Sequence, residues 1–304
     1  MKKTVLLAVI TLSLFSCKKD DNNETTYSNA FPKTIVKDEV SNIGMVKTTE
    51  SYTLDSGNKI TSFTKKIVDN GTPTLDKSYT IDYNGNAIKS IVIRDISQNK
   101  NYTYNFIYSN GMVQSISSND NNLKINYDYV EGKVSTKTVV NGNDKRTFSY
   151  TYGANKIEMV SRQTGVSQND RFTYTLNADG TIASFKKITY IGNVPDATTE
   201  GTCSYQYDNK PNIFQRDVFK YLAEIEIATN NNYYGDYYRD PLLRTGAHNI
   251  VSYTKNLAEN LSADYQDLEN TTRSFNYQWN NDNSPKSMEY KKNNNHKAKY
   301  TYNY

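Results

Sequence analysis

The chain is poor in the residues that most often carry chemistry. Its 304 residues include only 2 Cys, 2 His, 1 Trp, 6 Pro and 14 Gly. With so few histidines, there is little room for a histidine-built metal centre or a set of acid–base catalysts. The scarcity of proline and glycine excludes a collagen or a Pro/Gly-rich disordered polymer. The cysteines are too few for a disulfide scaffold. No apolar run reaches the roughly 20 residues of a membrane-spanning helix. The sequence has no Gly-rich phosphate loop, no His-Glu-x-x-His, no Gly-x-Ser-x-Gly and no cysteine pairs at metal spacing. The net charge is +4, with Lys and Arg scattered among Asp and Glu, so no basic stripe marks a nucleic-acid surface. The 32 acidic residues are plentiful, but no pair stands out at a spacing suited to glycoside chemistry. The expectation is a non-enzymatic protein with no cofactor, no metal and no nucleic-acid partner.

What the chain does have is 27 Tyr and 39 Asn. A hydrophobic content of 36% is low, but tyrosine adds a large apolar ring to it. The tyrosines recur in short alternating runs, among them Tyr79-Thr80-Ile81-Asp82-Tyr83, Tyr102-Thr103-Tyr104-Asn105-Phe106, Tyr127-Asp128-Tyr129 and Tyr205-Gln206-Tyr207. Taking Tyr52, Tyr79, Tyr104, Tyr127, Tyr150, Tyr174 and Tyr205 as landmarks, the steps are 27, 25, 23, 23, 24 and 31 residues. Each run leads into a turn such as Asn84-Gly85-Asn86 or Asn110-Gly111, which suits positive φ. An apolar residue follows the turn (Ile60, Ile88, Val113, Val134, Ile182), often with another three places on (Phe63, Ile91, Ile116, Phe185). A step of three switches faces in an ideal strand, so a bulge is expected near the hairpin base. The fold expected is mainly β: an antiparallel meander of successive hairpins, a curved or solenoid-like sheet, with each hairpin burying its tyrosine face on the next.

The first residues read as a secretory signal. Lys2-Lys3 precede an apolar stretch from Val5 to Phe15, which ends in Leu14-Phe15-Ser16-Cys17. This end resembles the lipobox of bacterial lipoproteins, in which Cys17 becomes the first mature residue and takes a thioether-linked lipid. Lys18, Lys19, Asp20 and Asp21 are similar to the short Lys-plus-acidic export tag of surface-exposed lipoproteins of the Bacteroidota. The resemblance implies an outer-membrane, lipid-anchored protein facing the cell surface, with the periplasmic face as the alternative. The division expected is a signal peptide over 1–16, the lipidated cysteine and a polar linker over 17–44, and one repeat-built β domain over 45–304. With Cys17 consumed by lipid, Cys203 has no intrachain partner and reads as a small buried hydrophobe.

The aromatic-x-Tyr-(Asp/Asn)-x-x-Gly-x-Ile/Val pattern, with its step near 23, resembles a degenerate YD or RHS-type repeat. Residues 45–304 as a whole resemble a group of Bacteroidota lipoproteins of unknown function, through Tyr205-Gln206-Tyr207-Asp208-Asn209-Lys210-Pro211-Asn212-Ile213-Phe214. Ile213 stands where that group has Pro. The resemblance implies architecture and location, not chemistry.

Residues 213–272 interrupt the repeat. Phe214, Val218, Tyr221, Leu222 and Ile225 fall at helical spacing, which predicts one short amphipathic helix near 214–228, packed on the sheet. Leu257, Leu261, Tyr265 and Leu268 could mark a second. Between these stretches, Tyr233, Tyr234, Tyr237, Tyr238 and Arg239 form a dense polar–aromatic loop. It is either a cap on the sheet or a surface on which a glycan stacks. His248 and His296 lie in polar surroundings and read as exposed loop residues. Three roles are open on these residues: a scaffold or binding module of unknown ligand, a glycan-binding lipoprotein, and an accessory subunit of an outer-membrane transport or secretion complex.

Overall fold

The computed structural model describes residues 30–41, 44–230, 248–257 and 271–304. Among them are eighteen strands and one helix. The strands are β1 (Thr34–Ser41), β2 (Gly44–Leu54), β3 (Ile60–Asp69), β4 (Thr72–Asn84), β5 (Ala87–Asp95) and β6 (Lys100–Ser109). Next come β7 (Met112–Ser118), β8 (Leu123–Val130), β9 (Lys133–Asn141), β10 (Asp144–Tyr152), β11 (Lys156–Gln163) and β12 (Gln168–Leu176). The last six are β13 (Ile182–Ile191), β14 (Val194–Pro211), β15 (His248–Leu257), β16 (Thr271–Trp279), β17 (Pro285–Lys292) and β18 (Asn295–Asn303). Helix α1 (Asp217–Asn230) lies between β14 and β15.

Each strand pairs antiparallel with the next in sequence, and β1 pairs with both β2 and β18. The meander is therefore closed into an eighteen-stranded barrel. This corrects the open, curved or solenoid-like sheet expected from the repeat. Closure removes the two free edges that such a sheet would expose. It also moves the start of the β domain. Residues 34–41, expected to be linker, form the strand that joins the two ends, and Phe31 is already buried.

The three-residue step has the predicted cause. Register shifts by a bulge at Thr53/Leu54, Asp82/Tyr83, Ile107/Tyr108, Asp128/Tyr129, Thr175/Leu176 and Gln278/Trp279. The bulge lets both apolar residues of a unit face inward, as Ile60 with Phe63 and Ile88 with Ile91 do. It also frees a backbone carbonyl, which a tyrosine from the neighbouring strand satisfies. Tyr83 Oη donates to the Ile60 carbonyl at 2.9 Å, Tyr129 to Val113 at 2.7 Å, Tyr152 to Val134 at 2.9 Å, Tyr207 to Ile182 at 2.9 Å and Tyr304 to Pro285 at 3.2 Å. The turns use the asparagines: Asn58, Asn70, Asn99, Asn110, Asn122, Asn283, Asn293 and Asn294 all hold positive φ.

The faces of the barrel are divided sharply. Tyr52, Phe63, Tyr104, Phe106, Tyr127, Phe148, Phe172, Phe185, Tyr205, Tyr253 and Tyr302 point inward and are buried in one continuous cluster. The alternate residues point outward. They include Thr103 and Asn105 on β6, Lys124, Asn126 and Asp128 on β8, Thr147, Ser149 and Thr151 on β10, and Thr272, Ser274, Asn276 and Gln278 on β16. Exposed outward aliphatics are few: Ile107 stands alone on β6, and Val40 with Met45 and Ile191 with Val194 pair across the ends of their hairpins. A barrel embedded in lipid needs the opposite arrangement, an outward apolar band about 25 Å tall.

Candidate functional site

The site is the interior of the barrel, which two arrangements fill from opposite ends. The proximal mouth is the one where the described chain begins and ends; the turns after β2, β4, β6 and β8 border it. The distal mouth is bordered by the turns after β1, β3, β5 and β7.

At the proximal mouth an aromatic cluster closes the opening. The Phe31 ring stands edge-on to Tyr52 at 4.9 Å and to Phe214 at 6.0 Å, and lies 5.7 Å from Phe219. The guanidinium of Arg216 sits 4.6 Å over the Phe31 ring and donates to the Asn58 carbonyl in the β2–β3 turn. Just upstream, Asn212 Oδ1 accepts the Phe214 amide at 2.9 Å, turning the chain into α1.

Helix α1 starts at this mouth and runs toward the distal one. Its partners are inward-facing residues of strands as far apart as β2 and β9, which places it in the lumen rather than on the outer surface. Phe219 meets Tyr52 of β2, Tyr221 meets Phe106 of β6 with centroids 5.3 Å apart, and Glu224 pairs with Lys137 of β9 at 2.7 Å. At its end, Asn141 Nδ2 donates to the carbonyls of Ala228 at 3.0 Å and Thr229 at 3.2 Å, supplying partners that helix geometry leaves without one. Burial raises the phenols of Tyr127 and Tyr221 well above the ordinary tyrosine range, with the nearby Glu224 carboxylate adding to it, so both stay neutral. The helix was expected at 214–228 and is found at Asp217–Asn230, because Asn212 to Arg216 form the turn that aims it.

The distal half of the interior carries charge. On the β1–β9 side each buried or half-buried cation has a carboxylate close by. Lys37 pairs with Glu39, Lys65 with Glu50 at 3.8 Å and Lys77 with Asp95 at 3.3 Å. On the β10–β17 side most of the described inward charges are cations. Arg146 Nη1 donates to Ser161 at 3.2 Å and Nη2 to Gln163 at 2.8 Å. Lys187 lies 3.4 Å from Asp170, whose Oδ1 also accepts from Thr189 at 2.7 Å. Lys255 is buried beside Cys203, its register partner on β14. Arg273 and Lys292 face inward as register partners on β16 and β17. Charges buried to this degree are rare unless paired or functional.

These charged positions have a sequence signal that composition hides. Each stands two residues from an inward aromatic: Arg146 before Phe148, Asp170 before Phe172, Lys187 after Phe185, Lys255 after Tyr253 and Arg273 before Phe275. Period-two alternation puts them in the core as firmly as the aromatics. Cys203, 1% exposed, is the small buried residue expected. His296 is exposed and pairs with Glu289 at 2.9 Å on the outer face, while His248 begins β15, 3.7 Å from Asp179. Tyr233, Tyr234, Tyr237, Tyr238 and Arg239 lie outside the described residues, as do Cys17, Lys18, Lys19, Asp20 and Asp21 and the candidate second helix beyond Leu257. Among the described residues no group of His, Cys, Asp and Glu could hold a metal ion, and no helix is long and apolar enough to cross a membrane.

No family model and no curated protein matches the chain. Among solved structures, it is similar to a porin-like protein from Bacteroides vulgatus ATCC 8482, with a TM-score of 0.45 and 14% identity over 91% of this chain and 99% of that one. A porin-like protein from Bacteroides uniformis ATCC 8492 is similar at a TM-score of 0.45 and 13% identity, over 89% of this chain and 96% of that one. The crystal structure of TcdB2-TccC3-TEV is similar at a TM-score of 0.40 and 12% identity, over 82% of this chain and 11% of that one.

Proposed function

We propose that the protein is a lipid-anchored, non-enzymatic binding module of the outer membrane, whose barrel stands in water beside the bilayer rather than within it. The outward face carries the reading. Ser, Thr, Asn, Lys and Asp on the β6, β8, β10 and β16 surfaces would each be costly to desolvate in hydrocarbon, by several kcal/mol for a charge at the midplane. The aromatic interior is already satisfied by α1 and by Phe31. Attachment then falls to Cys17, fourteen residues before Phe31. Several acyl chains on one cysteine hold a protein stably where one would not. Lys18 to Asp21 would direct it to the cell surface.

The test is fractionation. Cys17→Ser should abolish acyl labelling and move the full-length chain from the membrane pellet to the soluble fraction, folded and detergent-free. A variant that stays in the membrane, or that needs detergent to remain folded, would show that the barrel itself is embedded.

A further inference from the structure

We infer that the distal interior wall formed by β15, β16 and β17 binds a small oxyanion, the carboxylate or phosphate group of a ligand entering by the distal mouth. Arg273 is the centre of this site. Its guanidinium lies 5.5 Å from the ring of Tyr253 on β15 and 5.8 Å from that of Tyr290 on β17. Two flanking rings hold the planar fork in place without neutralising it. Its Nε is buried and has no hydrogen-bond partner among the described residues.

A second donor stands in the same condition. Thr271 lies two residues before Arg273 on the same face, about 7 Å along the strand. It is 3% exposed, and its Oγ1 is likewise buried without a partner. Leaving a buried donor unsatisfied costs roughly 1–3 kcal/mol, and native structures seldom do so twice side by side without a reason. In register, Lys255 is opposite Thr271 on β15 and Lys292 is opposite Arg273 on β17, and both lysines have partners of their own. The described inward positions of these three strands carry no carboxylate.

The contrast with the neighbouring strands is informative. On β12 and β13, Lys187, Asp170 and Thr189 satisfy one another. On β10 and β11, Arg146 is satisfied by Ser161 and Gln163. Those groups are complete without a ligand. The Thr271–Arg273 pair is not, and a guanidinium fork with a hydroxyl beside it matches the several acceptor oxygens of one anion.

The inference does not depend on how the chain is attached to the membrane, and its test uses the purified full-length protein. Inorganic phosphate and galacturonate are titrated separately by calorimetry in low-salt buffer that contains no phosphate or carboxylate. Saturable binding of phosphate alone, galacturonate alone or both is the expected result, and it tells a phosphoryl ligand from a carboxylate one. Arg273→Gln should weaken that binding about tenfold or more, and Thr271→Val, which keeps the side-chain shape, about threefold or more. If neither anion saturates the wild type, or if folded Arg273→Gln binds as the wild type does, the inference is overturned. Should Arg273→Gln fail to fold, unchanged affinity in Thr271→Val overturns it equally.

Discussion

The phenolic oxygen explains why some of the inward rings are tyrosine and not phenylalanine. Phenylalanine could line the same interior, and at Phe63, Phe106, Phe148, Phe172 and Phe185 it does. At the hairpin bases the ring alone does not suffice, because a bulge there leaves a carbonyl without its ladder partner. Tyr83, Tyr129 and Tyr207 reach those carbonyls from the adjacent strand, so the hydroxyl ties one hairpin to the next. Replacing each by Phe keeps the buried ring and removes only this bond. Each change should cost about 1 kcal/mol. The three sites are well separated, so the triple variant should lose about 3 kcal/mol in chemical denaturation, close to the sum of the singles. A triple variant as stable as the wild type would mean that water replaces the hydroxyl at no cost. The runs of Tyr-x-Tyr in the sequence mark these strands, but only the bulge shows why the second tyrosine of a run must keep its oxygen.

At the scale of the element, two hairpin turns repeat one device. In Asn177-Ala178-Asp179-Gly180-Thr181 and Asn280-Asn281-Asp282-Asn283-Ser284, the Asp carboxylate accepts the hydroxyl of the last residue at 2.6 Å in both. It also accepts the backbone amide of that residue, at 3.0 Å from Thr181 and 2.9 Å from Ser284. The Asn amide donates to the same hydroxyl at 2.9 Å in each. These bonds, the hydroxyl first, lower both carboxyls below their ordinary value of 3.8. A lowered folded pKa means that the unfolded chain takes up protons first as pH falls. The turns therefore contribute their full stabilisation above about pH 4 and lose it as pH falls through the folded values. Melting temperature should drop as pH falls below about 4, and the drop should be smaller in Asp179→Asn/Asp282→Asn. An identical pH profile for that variant would assign the acid sensitivity to other groups. The device was only partly legible, since the Asp-Gly of the first turn reads as a hairpin signal while Asn280 to Ser284 blends into the general asparagine excess. The helix was legible from its spacing, but its place was not. An amphipathic helix packed on a sheet and one enclosed by a barrel bury the same face, and only partners as far apart as Tyr52 and Lys137 tell them apart.

For the whole molecule the deciding feature is closure, which the repeat could not reveal. A step of about 23 residues builds a meander of any length and does not say whether its first strand meets its last. The strand that closes the ring carries none of the tyrosines that mark the repeat. β1 reads Thr-Ile-Val-Lys-Asp-Glu-Val-Ser and turns Lys37 and Glu39 inward beside Ile35. Yet it pairs along Thr34 to Glu39 with β18 and along its full length with β2, and Phe31 just before it seals the proximal mouth. Removing residues 18–29 is the control deletion, since it stops short of Phe31 and of β1. Removing 18–41 should uncover the long edges of β2 and β18 together, and two exposed edges template pairing between chains. On size-exclusion chromatography the shorter deletion should elute as the wild type does, and the longer one as oligomers or aggregate with a lowered melting temperature. A monomeric, equally stable 18–41 deletion would mean that the ring holds without β1, with β2 and β18 able to pair directly.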